Sequence, residues 1–379
     1  MATVRISWLD FNINEDGFNI YKDTSPIDVS NLPSPIATLG PNIGSYDDAN
    51  VTPGEIYHYR VGAFRGGEEK VGEELVTIAA DFSIIYANKM TLNKADYSEI
   101  DIWSVKQDLD EDEKIFYLTS DPQGNIYTYT TGGNGHLGKH DSEGNEIYFF
   151  RENSLRELYF ASDGYLYAGH GSRVSKRDPS DGSEVWLSPS VADNRVLGIG
   201  MNSNGDVVVM GSYRPYTMTT LDPSDGSIKG QWEEYIRISN LAVSEDDQDA
   251  YVLRTEEDPT TIQKFRNGDY PNIQIDISMY DQPRNLALKN GHIYLFTYNN
   301  NTNTTTVVKL KTSDQSEVWQ SQVSNVRNPS YVTFGTSDDH LYIKSDREIV
   351  RVNMSTGEIR NIFSNINFGS GDFIVQSSY

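Results

Sequence analysis

Residues 177–186 read RDPSDGSEVW, and a near copy, LDPSDGSIKGQW, follows at 221–232. An Asp-Pro-Ser-Asp-Gly stretch suits three roles: a cofactor loop, a metal loop or a plain chain reversal. Proline presets φ, and Asp-Gly suits a turn position that needs positive φ. The same slot holds DYSEIDIW (96–103), DSEGNEIYF (141–149), TSDQSEVW (312–319) and NMSTGEIR (353–360). A ligand loop would need its polar groups kept from copy to copy. A turn needs only residues that permit the bend, and that is all these copies share. The stretch therefore reads as the hairpin between the third and fourth strands of a repeated unit. Trp186 then falls on the fourth strand, where a large aromatic fills the gap between neighbouring units.

The repeat extends over most of the chain. Second strands recur as GNIYTY (124–129), GYLYAG (164–169), GDVVVM (205–210), DAYVLR (249–254), GHIYLF (291–296) and HLYIKS (340–345). Gly124, Gly164 and Gly205 are spaced by 40 and 41 residues. A period near 40 with four strands per unit predicts a β-propeller. Six units are complete. A seventh is assembled from both ends: 84–105 supplies strands two to four, and DFIVQSSY (372–379) supplies the inner strand. Seven blades closed by the C-terminal strand is the expected architecture, with six the alternative. Closure removes exposed sheet edges.

Before the repeat, VRISW and GFNIYKD alternate with period 2, and EIYHYRVGAF is a longer strand with Tyr57, Tyr59 and Val61 on one face. NEDG, TPGE and RGGEE are turn signals. Seven short strands in this segment predict a small immunoglobulin-like β-sandwich. Trp8, GFNIYKD, SYDD before TPGEIYHYRVGAF, and the closing EELVTI resemble a fibronectin type III domain. The resemblance implies a spacer or adhesion module without catalysis, with Trp8 and Tyr59 in its core. The domains are thus expected at 1–79 and 80–379, in an all-β chain.

Composition agrees with many short strands and tight turns: Tyr (24) outnumbers Phe (14), and Gly is abundant (30). The net charge of −24 disfavours nucleic acid and anionic membranes as partners. No cysteine is present, which excludes disulfides, zinc–thiolate sites and thiol nucleophiles. The start, MATVRISWLDF, lacks the pattern of a secretory signal, and no run of about 18 apolar residues exists to span a membrane.

The Asp…Gly…Trp turn resembles that of quinoprotein-type β-propellers, in which the turn-and-Trp element is structural. Quinone use in that family needs an adjacent disulfide and calcium ligands, so the resemblance implies the fold and no cofactor. A sialidase-type S-x-D-x-G-x-T-W turn is also similar, but SDGSEVW departs from its spacing and no catalytic residues transfer. No Gly-x-Ser-x-Gly, phosphate-binding loop or dinucleotide fingerprint occurs. His136 and His140 have helix-like spacing in a strand–turn context and are read as surface residues, not zinc ligands. The acidic runs DLDEDE (108–113) and SEDDQD (244–249) are read as solvated loops, and no metal site is expected.

One pattern points to binding. Arginines precede the inner strand in five units: Arg156, Arg195, Arg237, Arg284 and Arg327. In a propeller these would gather near the axis on one face, as a partial cationic ring suited to an anion or acidic sugar. The competing reading is inter-blade salt bridges to Asp and Glu. Loops between strands two and three should emerge on the same face and add Tyr213, Arg214, Tyr216 and Tyr298 as contact residues. The Asn/Thr run at 298–306 serves equally as a hairpin tip.

A fibronectin-like module beside a propeller, with no catalytic set, resembles a non-enzymatic bacteriophage virion protein: a capsid decoration, tail or fibre component. The expected partners are other virion proteins and a host surface glycan or receptor, with homo-oligomerisation compatible. The alternatives are an extracellular bacterial adhesion or carbohydrate-binding protein, and a propeller-based glycan hydrolase or lyase with paired carboxylates.

Overall fold

In the computed structural model, the described residues are 4–8, 15–52, 56–78, 82–88, 91–96, 101–106, 113–131, 135–153, 155–212, 215–235, 237–254, 260–266, 274–280, 282–324, 331–334, 339–344, 348–364 and 373–377. Every regular element longer than a turn among them is a strand. The chain divides into two units. One comprises Met1–Ser83, Asp96–Ile100 and Ser377–Tyr379, the other Ile84–Ala95 and Asp101–Gln376.

In the first unit, Val4–Ser7 pairs antiparallel with Ser45–Asp48. A second sheet runs in the order Ala37–Leu39, Gly17–Asp23, Ile56–Arg65, Glu68–Val71, and Leu75–Ile78 pairs with the start of Ile56–Arg65. Alternation sends Val4 and Ile6 inward to meet Ile20, Tyr57 and Tyr59, while Arg5 and Ser7 face water. Trp8 packs on this core, with its ring 5.3 Å from that of Phe18. The Tyr59 hydroxyl donates to Asp48 at 2.8 Å, and Lys22 Nζ reaches the same carboxylate at 2.8 Å. Burial opposes ionisation of Asp48. Hydrogen bonds from Lys22 and Tyr59 outweigh it and hold the carboxyl below its usual range.

The second unit contains seven four-stranded sheets among the described residues. Sheet one has the order Asp101–Lys106, Thr91–Asp96, Phe82–Asn88, Phe373–Ser377, so the last strand of the chain sits beside one of the earliest. Sheets two to seven each use consecutive strands. Their first strands are Lys114–Ser120, Leu155–Phe160, Arg195–Met201, Ile238–Ala242, Pro283–Lys289 and Tyr331–Phe334. First strands of consecutive sheets pack on one another from sheet two to sheet seven. The core is correspondingly divided into layers. Tyr167, Val174, Val196, Val207 and Val209 fill the layer between sheets three and four, for example, and Tyr294, Val307, Leu341 and Val350 that between six and seven.

The opening stretch is what joins these layers. Within the turn, Ser180 donates from backbone and hydroxyl to Asp178 Oδ1 (2.8 and 2.6 Å), and Ser183 N donates to Asp181 Oδ1 (2.9 Å). Gly182 takes φ +77°. The turn then presents the carbonyl of its second residue to the preceding sheet. Pro223 O accepts from Lys176 Nζ at 2.9 Å and from Trp186 Nε1 at 3.1 Å. Met354 O accepts in the same way from Lys309 (2.8 Å) and Trp319 (3.1 Å), and Pro179 O from Lys139 (2.9 Å). Each of these lysines also lies over a buried second-strand tyrosine: Tyr127, Tyr167 or Tyr294. The turn glycine completes the joint. A Cβ on Gly226 would lie 2.6 Å from Trp186, and one on Gly357 would lie 3.0 Å from Trp319.

Two histidines differ from the sequence reading. His140 is fully buried, because it ends a third strand, His136–His140, whose four last positions all face the interior. His136 is half-buried. It stacks on Phe149 at 4.9 Å and places Nδ1 3.1 Å from the buried Glu113 carboxylate.

Candidate functional site

Two cavities in the second unit meet at Ser239. The larger, about 490 Å³, is lined by first strands of six sheets: Phe116 and Tyr117 from sheet two, Glu157 and Tyr159 from three, Leu197 to Gly200 from four, Ser239 to Leu241 from five, Asn285 and Leu286 from six, Tyr331 and Val332 from seven. A cavity shared by six first strands is an axial channel. The second cavity, about 410 Å³, is lined by Arg237, Ser239, Thr260, Gln282, Pro283 and Arg284. Its residues lie at the starts of the first strands of sheets five and six and at the head of a third strand, and so at one end of the channel.

A recurring irregularity shapes this wall. In sheets two to six the pairing of first and second strands skips one residue: Phe116, Glu157, Leu197, Ser239 and Arg284. All five line one or both cavities. A bulge inserts an unpaired residue and re-aims its side chain. Glu157 shows the cost most plainly, since it holds φ +57°, a left-handed conformation uncommon outside glycine.

The arginines expected from sequence take different positions relative to the bulge. Arg195 and Arg237 stand two residues before the skipped position, a slot that Lys114 fills in sheet two. Arg156 stands one residue before it, and Arg284 is the skipped residue itself. The structure brings Arg237 and Arg284 into one cavity and leaves Arg156 and Arg195 outside it. All four are exposed. Among the described residues none of the four forms a salt bridge, while Arg284 Nη2 donates to the neutral Gln282 Oε1 at 2.9 Å. Arg327, Tyr213 and Arg214 lie outside the described residues. Tyr216 is half-buried against the core between sheets four and five. Tyr298 is no contact residue: it is buried, at 7% exposure, and its hydroxyl donates to Asn303 Oδ1 at 3.0 Å within its own hairpin.

At the other ends of the same strands lies the acidic run 244–249. Glu245 Oε1 accepts from the Tyr159 hydroxyl (2.8 Å) and from Ser162 N (3.0 Å), both of sheet three. Asp247 O accepts from Ser203 N in sheet four (2.9 Å). This loop is thus tied to its neighbours, contrary to a freely solvated reading. Burial, reinforced by the Glu245 charge, raises the Tyr159 pKa, so its phenol stays protonated. Phe116, Glu157, Leu197 and Ser239 were not legible as site residues. Their signal was the apolar–polar alternation of the first strand, which the bulge shifts by one.

No protein-family model matches the chain, and no curated protein matches it. Among solved structures, the WD40 domain of Neurospora crassa Pan2 is similar at 12% identity and TM-score 0.54, over 76% of this chain and 87% of that one. The WD40 β-propeller domain of Doa1 is similar at 11% identity and TM-score 0.50, over 68% and 85%. A protein of unknown function from Bacteroides caccae aligns over 78% and 98% at 10% identity and TM-score 0.44. The first two likenesses establish an all-β chain with a β-propeller fold, and the fold alone.

Proposed function

We propose that this chain is a non-enzymatic bacteriophage virion accessory protein. In this reading a seven-bladed propeller binds an anionic group of the host surface at the arginine-bearing end of its channel. The single observation that carries the binding role is the set of exposed arginines at that end, without salt bridges among the described residues, in a chain of net charge −24. A structural ion-pair role would have placed carboxylates on them. Arginine forks are suited to oxyanions.

Seven four-stranded sheets, six of them lining one cavity, support the blade count. A fibronectin type III-like sandwich is supported by the two sheets of the first unit and by a tyrosine corner, in which Thr52 N donates to the Tyr57 hydroxyl oxygen at 2.8 Å. The pairing of these two modules supports the virion assignment by analogy of domains. Mass spectrometry of purified particles tests it: the chain should appear at stoichiometric copy number, and its absence would sink the assignment. Arg156→Gln with Arg195→Gln tests whether binding spreads round the ring. Reduced attachment at unchanged thermal stability is expected, whereas unchanged attachment with lost stability would favour structural arginines.

A further inference from the structure

The two cavities differ in chemistry, and the difference specifies a ligand. The outer one offers two guanidinium groups, the Ser239 and Thr260 hydroxyls and the Gln282 amide, a donor-rich set suited to one oxyanion. The inner one offers rings, Phe116, Tyr117, Tyr159 and Tyr331, between glycine-backed stretches at Gly198 and Gly200. Rings of this kind pack against the C–H face of a puckered, hydroxylated ring, and convergent polar groups orient it. Ser239 lines both cavities, so one ligand can fill them together.

Charge sets the direction of entry. Glu157 adds a carboxylate to the inner wall, and Glu245 lies beyond it, bonded to Tyr159. An anionic group is therefore favoured beside Arg237 and Arg284 on sheets five and six, and opposed beside Glu157, at the equivalent position of sheet three, and toward the Glu245 end. The loop 244–249, bonded to sheets three and four, lies at the far end. The overall charge of −24 repels a long polyanion and tolerates a single negative group at the cationic mouth.

We infer that the two cavities form one end-on site for the terminal, carboxylate-bearing residue of a saccharide. The carboxylate lies between Arg237 and Arg284, and the sugar ring lies against the aromatic wall of the channel. This rests on the recognition role proposed above and names its ligand class.

The test uses the full chain and titration calorimetry. The probes are a panel of oligosaccharides ending in uronic or sialic acids, the same compounds with the carboxylate reduced to an alcohol, versions with the acidic residue internal, and sodium sulfate. Terminal acids should bind, while the reduced and internal forms bind at least tenfold more weakly. Arg237→Gln and Arg284→Gln should each weaken binding roughly ten- to a hundredfold at unchanged melting temperature, since each removes a charged hydrogen-bond donor. Phe116→Ala should weaken the saccharide and leave sulfate unaffected, and exposed Lys311→Gln should change neither. Equal binding of acid and alcohol, or unaltered binding by both arginine variants, would overturn the inference. Sulfate binding with no saccharide preference would overturn it while leaving an anion-recognition role standing. Binding of no probe at all would remove both.

Discussion

Replacing Gly226 with alanine tests the joint between sheets directly. Gly226 sits at φ +75°, and an added Cβ would lie 2.6 Å from Trp186 Cε3 and 2.9 Å from Cδ2. Two costs follow. Left-handed backbone costs an L-residue about 1–2 kcal/mol. Overpacking against a seated aromatic adds roughly 1–3 kcal/mol. Trp186 cannot swing away freely, because its Nε1 donates to Pro223 O and its ring meets Tyr167 at 5.8 Å. Gly205 is the control: it sits at φ +79°, and an added Cβ there would meet nothing within 4 Å. Gly205→Ala should therefore cost only the backbone term. Chemical denaturation of both variants should show Gly226→Ala weaker by about 1–3 kcal/mol than the control. Trp186→Leu should relieve part of that excess, making the pair non-additive by about 1 kcal/mol. Equal costs for Gly226→Ala and Gly205→Ala would refute the claim that the turn docks on the neighbouring sheet.

Lys176→Met should cost about 2 kcal/mol in the same assay, since it removes a buried ammonium bonded to Asp163 and Pro223 O. A loss below a few tenths would show the lysine to be dispensable. Burial lowers the His140 pKa below its ordinary 6.5. Below that pH the unfolded chain binds a proton that the folded chain refuses, so stability should fall from about pH 6.5 downward toward the lowered folded value. His140→Gln should flatten this slope, and identical slopes in both proteins would contradict it. Asp48 works at lower pH: with its folded pKa held below 3.8, its contribution is complete above that value and is lost as the pH falls through the folded one. Asp48→Asn should cost roughly 3 kcal/mol at neutral pH, read from near-ultraviolet unfolding of the tyrosine-rich first unit, and no loss there would discount the Lys22–Asp48–Tyr59 cluster.

Local chemistry made the repeat legible. Asp-Pro-Ser-Asp-Gly, Gly-Asn-Ile-Tyr and Glu-Val-Trp mark hairpins whose geometry depends on a few adjacent residues, so the period and strand order follow from reading along the chain. The role of Trp186 was legible for the same reason, because it stands at a set distance from the turn. What tertiary structure alone decided depends on contacts across sheets. The bulge in the first strands of sheets two to six leaves no mark in composition, yet it selects Phe116, Glu157, Leu197, Ser239 and Arg284 for the cavity walls, while the adjacency of sheets five and six brings Arg237 and Arg284 together and leaves Arg156 and Arg195 outside. The burial of His140 and Tyr298 depends on which face of a strand meets the adjacent sheet. The acidic run 244–249 acquires its place from Tyr159 and Ser162, more than eighty positions away in the chain. A turn is encoded by its neighbours in sequence, whereas a channel wall is encoded by strands that become neighbours only when successive sheets have packed.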